Sequence, residues 1–146
     1  MPIAILWPTF TLVAWIFVVW FWMYVDRFAL IRRQPPSAAD FATNAAAARY
    51  FEPVEMPASN LRNLLEVPPL YFALVPLLML THHANHIQVT LAWIYVVLRM
   101  LHSILHIVVR NVPLRFACYA LSCAVLSAMW IGFAVDMAAA PQLLSE

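Results

Sequence analysis

Five residues in one apolar stretch combine reactive side chains with a spacing that gathers them: Tyr95, Arg99, His102, His106 and Arg110. At about 100° per helical residue, they fall within roughly 80° of each other on one helix face. Their neighbours, among them Trp93, Ile94, Val97, Leu98, Leu101, Ile104 and Val108, are at home in lipid. Charge at membrane depth is costly and normally faces a bundle interior or a wet cavity, so this face is a functional one. Arg99 lies about half a helix from the nearer end, too deep to snorkel out. Glu66 is its expected counter-charge, because an unpaired buried guanidinium would cost on the order of several kcal/mol. His102 and His106 have the i, i+4 spacing of a metal-binding pair, but no third ligand accompanies them and no metal is expected.

Two further polar groups flank this stripe. Arg62, Asn63 and Glu66 share a face at the start of another apolar segment, where Arg62 and Glu66 are one turn apart and can form a local ion pair. Arg110, Asn111, Arg115 and Tyr119 surround the turn that follows the stripe, with Arg115 and Tyr119 one turn apart. Together the three groups make a cationic pocket with apolar walls deeper in. Such a pocket suits an amphipathic anion with carboxylates at its mouth and a lipophilic partner in the bilayer. His82, His83 and His86 read as solvated turn residues at the opposite end.

The elements that position these groups follow from composition. Of 146 residues 65% are hydrophobic and 10% charged, and the mean hydropathy is +0.82. Four apolar runs are long enough to span a bilayer at about 20 residues each, giving helices at about 3–25, 60–81, 87–109 and 114–139. One glycine and almost no alternating polarity argue against a β-barrel. The expectation is an all-α integral membrane protein, a four-transmembrane-helix bundle in a single domain over 1–146. The first run is too long for a signal-peptide core and has no cleavage site after it, so it is expected to persist as a helix.

The connection 26–59 is too long for an idle loop. Pro35-Pro36 end any extension of the first helix, Ser37 and Asp40 resemble a capping box, and Ala38 to Tyr50 favours a short helix roofing the bundle. Pro68, Pro69 and Pro76 predict a kink near Pro68, with the freed carbonyls satisfied by neighbouring polar groups. Cys118 and Cys123, five apart, point to different faces and read as buried thiols rather than a disulfide. All eight basic residues are arginine, and they concentrate in the first and third connections. The positive-inside rule puts those connections in the cytoplasm and both termini opposite. A net charge of +1 gives no reason to expect a nucleic-acid partner.

Two stretches carry a resemblance. Arg62-Asn63-Leu64-Leu65-Glu66-Val67-Pro68 resembles the R-N-x-x-E pattern of helix two in the MAPEG family, the membrane-associated proteins in eicosanoid and glutathione metabolism. Arg99 through His102 and His106, then Arg110-Asn111-Val112-Pro113-Leu114-Arg115, is similar to that family's helix three and its turn into helix four. The spacing on to Tyr119 is similar to that of the microsomal prostaglandin E synthases. The resemblance spans roughly residues 3–137.

It implies a homotrimer with glutathione sites between subunits, helices two and three of one facing helices one and four of the next. It also implies glutathione as co-substrate, contacted by Arg62, Asn63, Glu66, His102, Arg115 and Tyr119. His106 stands where a tyrosine is common, which keeps a hydrogen-bonding ring. Phe116 stands where the prostaglandin synthases have a serine, which argues against their specific isomerase reaction. An arginine at the end of helix one, Arg32 or Arg33, is expected to join. The implied activity is a membrane glutathione-dependent transferase or peroxidase acting on lipophilic electrophiles, its thiolate stabilised by Arg115. The alternatives are a non-enzymatic lipid-binding or scaffolding member of the same fold and, from the polar stripe alone, a small channel. Its expected location is a bacterial inner membrane.

Overall fold

The structure, a computed structural model, describes residues 2–139. Four helical stretches, 3–33, 44–80, 86–109 and 112–139, are long and apolar enough to cross a membrane, and the described residues contain no strand. The chain is an integral multi-pass membrane protein built as a four-helix bundle.

Helix α1 (Leu6–Arg33) runs eight residues past Val25, through Asp26 and Arg27. Pro8 is tolerated in its first turn, where no intrahelical N–H is needed. It stops before Pro35-Pro36, and Arg32 and Arg33 in its last turn complement the helix dipole. The connection then folds as two short pieces rather than one. A 3₁₀ turn at Ala38–Phe41 is followed by α2 (Asn44–Phe51), separated where Thr43 takes extended geometry and caps α2 by accepting from the Ala46 N–H at 3.1 Å. Phe41, Tyr50 and Phe51 pack together there, and the Tyr50 hydroxyl donates to the Gln34 carbonyl.

The second span is broken in two. Helix α3 (Glu55–Glu66) ends at Val67 and α4 (Pro68–Leu80) begins directly after it. Pro68 and Pro69 have no N–H to give the carbonyls of Leu64 and Leu65, so the ladder stops there, while Pro68 suits the first position of a new helix. Helix α5 (His86–Ile104) starts at an Asn85 cap, whose side chain accepts from the Gln88 N–H at 2.9 Å. Leu105–Val109 continue α5 with π-helical geometry, and Arg110 ends it in the left-handed region at φ 56°. Asn111 then opens α6 (Val112–Ala139), its side chain accepting from the Leu114 N–H at 3.1 Å.

Helices α5 and α6 make the most extensive contact, and α1 packs on α3 and α5. Lipid is as apolar as a leucine, so close packing and internal hydrogen bonds must hold such helices together. Gln88, buried in α5, donates to the Met129 carbonyl of α6 at 3.0 Å beside Gly132, the chain's one glycine. A Cβ at Gly132 would lie 3.3 Å from the Gln88 amide nitrogen, so glycine sits where the two helices approach. The core centres on Leu12, Tyr71, Leu74, Leu78, Tyr95, Val96 and Met129. Thr9 and Tyr71 share a 3.0 Å hydrogen bond, and the Tyr71 and Tyr95 rings stack at 5.1 Å. Phe17, Phe21, Phe28, Val97, Leu101, Ile131 and Val135 face outward, where the bilayer covers them. Cys118 and Cys123 are free thiols, half-buried rather than buried.

Candidate functional site

The π-helical turn of α5 and the first turns of α6 bring the expected residues of those helices together. His102 is buried, and its Nδ1–H donates to the Arg115 carbonyl at 2.9 Å, since a carbonyl can only accept. Its ring lies 5.6 Å from that of Tyr119 and 5.8 Å from that of His106, which is also buried. Arg115 itself is half-buried, and Arg110 and Phe116 beside it are exposed.

Arg99 is fully buried but does not pair with Glu66, which is exposed. One guanidinium nitrogen instead donates to the backbone carbonyl of Asn63, in the last turn of α3, and the group lies over the Tyr119 ring, 5.3 Å from its centroid. The physical reason is the broken second span: a helix C-terminus is electronegative, and a cation can complement it without a carboxylate. Asn63 therefore joins the group through its main chain.

Arg62 also departs from expectation. It is exposed and pairs with Glu55 at 3.3 Å, two turns earlier, rather than with Glu66. An acidic residue N-terminal to the basic one is the favoured orientation on a helix, and Glu66 lies on the wrong side of Arg62 for it. Glu55 also faces Arg27 at 3.9 Å, whose guanidinium stacks 4.7 Å above the Phe51 ring. The α1 arginine that meets the second span is thus Arg27, which sequence reasoning passed over because the helix was expected to end at Val25. Arg32 and Arg33 are exposed and, with Val25, Phe28 and Ala29, line a separate concavity of about 440 Å³ on α1.

Several buried polar atoms in this region have no partner among the described residues. They are Nε and Nη1 of Arg99, Nε2 of His102, Nδ1 of His106, the Tyr95 hydroxyl and both side-chain amide atoms of Asn60. Buried polar groups are normally satisfied, so such a concentration marks a place for water or a polar ligand. Asn60 was not singled out from sequence, where it served only as the start of the second helix. Among the described residues, no cluster of three or more histidine, cysteine or acidic side chains is placed to hold a metal. An apolar cleft of about 380 Å³ lies between α4 and α6, lined by Val67, Leu70, Cys123, Leu126, Ser127, Trp130 and Ile131. It begins at the break in the second span and one helical turn from Tyr119.

The architecture is a four-helix membrane bundle with a histidine- and arginine-rich polar group beside an apolar cleft. The comparison with known families makes this specific: a model of the MAPEG family matches residues 5–135, and the chain belongs to that family. Its role therefore lies, in general terms, in eicosanoid or glutathione metabolism at a membrane. No curated protein and no solved structure matches the chain.

Proposed function

We propose that this chain is a membrane glutathione-dependent transferase or peroxidase acting on lipophilic electrophiles, working as a homotrimer with Arg115 as the residue that stabilises the thiolate. The observation that carries this reading is the junction of His102, Arg115, Tyr119 and Arg99 around the last turn of α3. Glutathione brings two carboxylates, an ammonium and a thiol. The exposed Arg62 and Glu66 suit the charged ends of the peptide, and Asn63, His102, His106 and Tyr119 offer hydrogen-bonding groups. Unpartnered nitrogens on His102 and His106 fit a polar ligand.

In the reaction, a cationic Arg115 next to the thiol favours its ionised form, and the thiolate is the nucleophile. With a lipophilic electrophile, the sulfur forms the new bond to carbon while the displaced electron pair departs with the leaving group or, in an addition, moves onto the electrophile's own acceptor atom, which then takes a proton from water. With a lipid hydroperoxide, the sulfur takes the terminal oxygen and a second glutathione reduces the product to the disulfide, releasing water and the alcohol. The α4–α6 cleft supplies an apolar wall for the second substrate, and the bilayer concentrates it. In keeping with the positive-inside arrangement, the site lies at the cytoplasmic face of what we take to be a bacterial inner membrane.

The second reading, a lipid-binding or scaffolding member without catalysis, is favoured by Phe116, which is 69% exposed beside Arg115 where a hydroxyl would be expected to assist the thiol. Calorimetric titration of the detergent-purified protein with reduced glutathione, followed by conjugation assays with a hydrophobic electrophile, separates the two. The transferase reading expects saturable binding and turnover that Arg115→Ala reduces far more than it reduces trimer yield. Binding of lipid without glutathione would overturn it.

A further inference from the structure

We infer that Arg99 is a positioning residue for this site: it holds the C-terminal end of α3 at the break in the second span, and thereby sets where Arg62, Asn63 and Glu66 stand relative to His102 and Tyr119. The inference rests on the glutathione reading for its functional consequence, and on geometry alone for its structural one.

Three observations meet at this side chain. Arg99 is the largest fully buried side chain among the described residues, so its place is fixed by the bundle rather than by solvent. Its donation to the Asn63 carbonyl ties α5 to the last turn of α3, the turn that carries Asn63 and Glu66. Its guanidinium also lies over Tyr119 of α6, and the Ser103 hydroxyl donates to the Arg99 backbone carbonyl at 3.1 Å. One residue thus contacts the helices that supply the three parts of the site.

The chemistry explains why an arginine stands there. At Pro68 the helical ladder ends, leaving α3 a free C-terminus inside the bundle with no continuous helix to orient it. A planar guanidinium can donate to a carbonyl along its edge while its face rests on an aromatic ring, a combination that lysine's compact ammonium reproduces only in part. Without that link, the last turn of α3 is held by the packing of Leu64 against Val19 and Ile107 but loses its hydrogen bond to α5 and, through the guanidinium, its tie to Tyr119 of α6.

The test uses full-length protein in detergent with two readouts. Hydrogen exchange at the backbone amides of 63–67 reports the break itself, with no ligand required. In Arg99→Gln these amides are expected to exchange faster while those of the α5–α6 contact around Gln88 stay as they are, and Arg99→Lys is expected to recover part of the protection. Titration with reduced glutathione is expected to show affinity lowered about tenfold in Arg99→Gln, corresponding to one decade in Kd, with partial rescue in Arg99→Lys. Should Arg99→Gln not yield folded protein, Tyr119→Leu removes the ring under the guanidinium and carries the same exchange readout. Unchanged exchange at 63–67 overturns the inference. Faster exchange with unchanged glutathione affinity overturns its functional half, and wild-type protein that binds no glutathione overturns the glutathione reading while the exchange result still decides the structural one.

Discussion

The Nδ1–H of His102 and the main-chain carbonyl of Arg115 are joined across 2.9 Å, so the start of α6 is fastened to α5 by an imidazole rather than by the turn alone. The bond also fixes the tautomer: with the proton on Nδ1, Nε2 is the free acceptor of the ring. His102→Leu is expected to cost about 1 kcal/mol of stability, the net worth of one such bond, and to lower glutathione affinity through a displaced Arg115. His102→Asn, which can place an amide N–H near the Nδ1 position, is expected to keep most of the stability. Thermal unfolding in detergent alongside calorimetry checks both, and equal loss in the two variants would show that the ring, not the bond, matters.

Arg110 ends α5 at φ 56°, a conformation in which its Cβ is crowded. Arg110→Gly is expected to stabilise the protein by about 1 kcal/mol through relief of this strain. His82, at φ 60° in the turn at the other end, gives the matched control. A gain in His82→Gly without one in Arg110→Gly, read from unfolding midpoints, would show that the Arg110 side chain makes a compensating interaction.

Tyr71 and Thr9 connect α4 to α1 by a single 3.0 Å hydrogen bond inside the core. Tyr71→Phe and Thr9→Val are each expected to cost about 1 kcal/mol, and the double variant about the same as either alone, because the partners share one bond. A double-variant cycle in urea or by heat measures the coupling. Fully additive losses would mean that the two residues act separately.

The carboxylate of Asp40 accepts from the Ser37 N–H at 2.7 Å and from the Ser37 hydroxyl at 2.8 Å. The backbone donor first, and the hydroxyl second, hold its pKa below the ordinary value of 3.8. A depressed folded-state pKa means that this turn is stabilised in full above that ordinary value and loses its support as pH falls through the lower folded one. The Ser37 amide resonance is expected to titrate in that acid range and to lose its pH response in Asp40→Asn. Because Asp40 stands in a solvated turn, the unfolding midpoint of the bundle at neutral pH is expected to stay where it is.

The spans were legible because their length and apolarity leave few alternatives, and the stripe of Tyr95, Arg99, His102, His106 and Arg110 was legible in its first four members because helical periodicity places them. Those four side chains are buried, whereas Arg110 is exposed, because the π-helical turn changes the periodicity and the helix ends there. The kink at Pro68 followed from the missing N–H groups. Harder to see were the pairings. Glu66 looked like the partner of both Arg62 and Arg99, yet neither pairs with it, because sequence spacing shows which residues share a face but not that a helix end can stand in for a carboxylate. The extension of α1 to Arg33 was hidden by its polar residues, which belong to a helix leaving the membrane rather than to a loop, and with it went the role of Arg27. The π-helical turn at Leu105–Val109 has no sequence signature that apolar periodicity can report.

The break at Val67 gives the second span two separate duties. Helix α3 leans on α1 and on the π-helical turn, among the arginines, while α4 belongs to the apolar core with Tyr71, Leu74 and Leu78. Substitutions that retune recognition on the first half need not be transmitted to the packing of the second, and changes that adapt the bundle to a thicker or thinner bilayer need not disturb the polar end. A protein divided in this way can change what it binds and where it resides along largely independent routes.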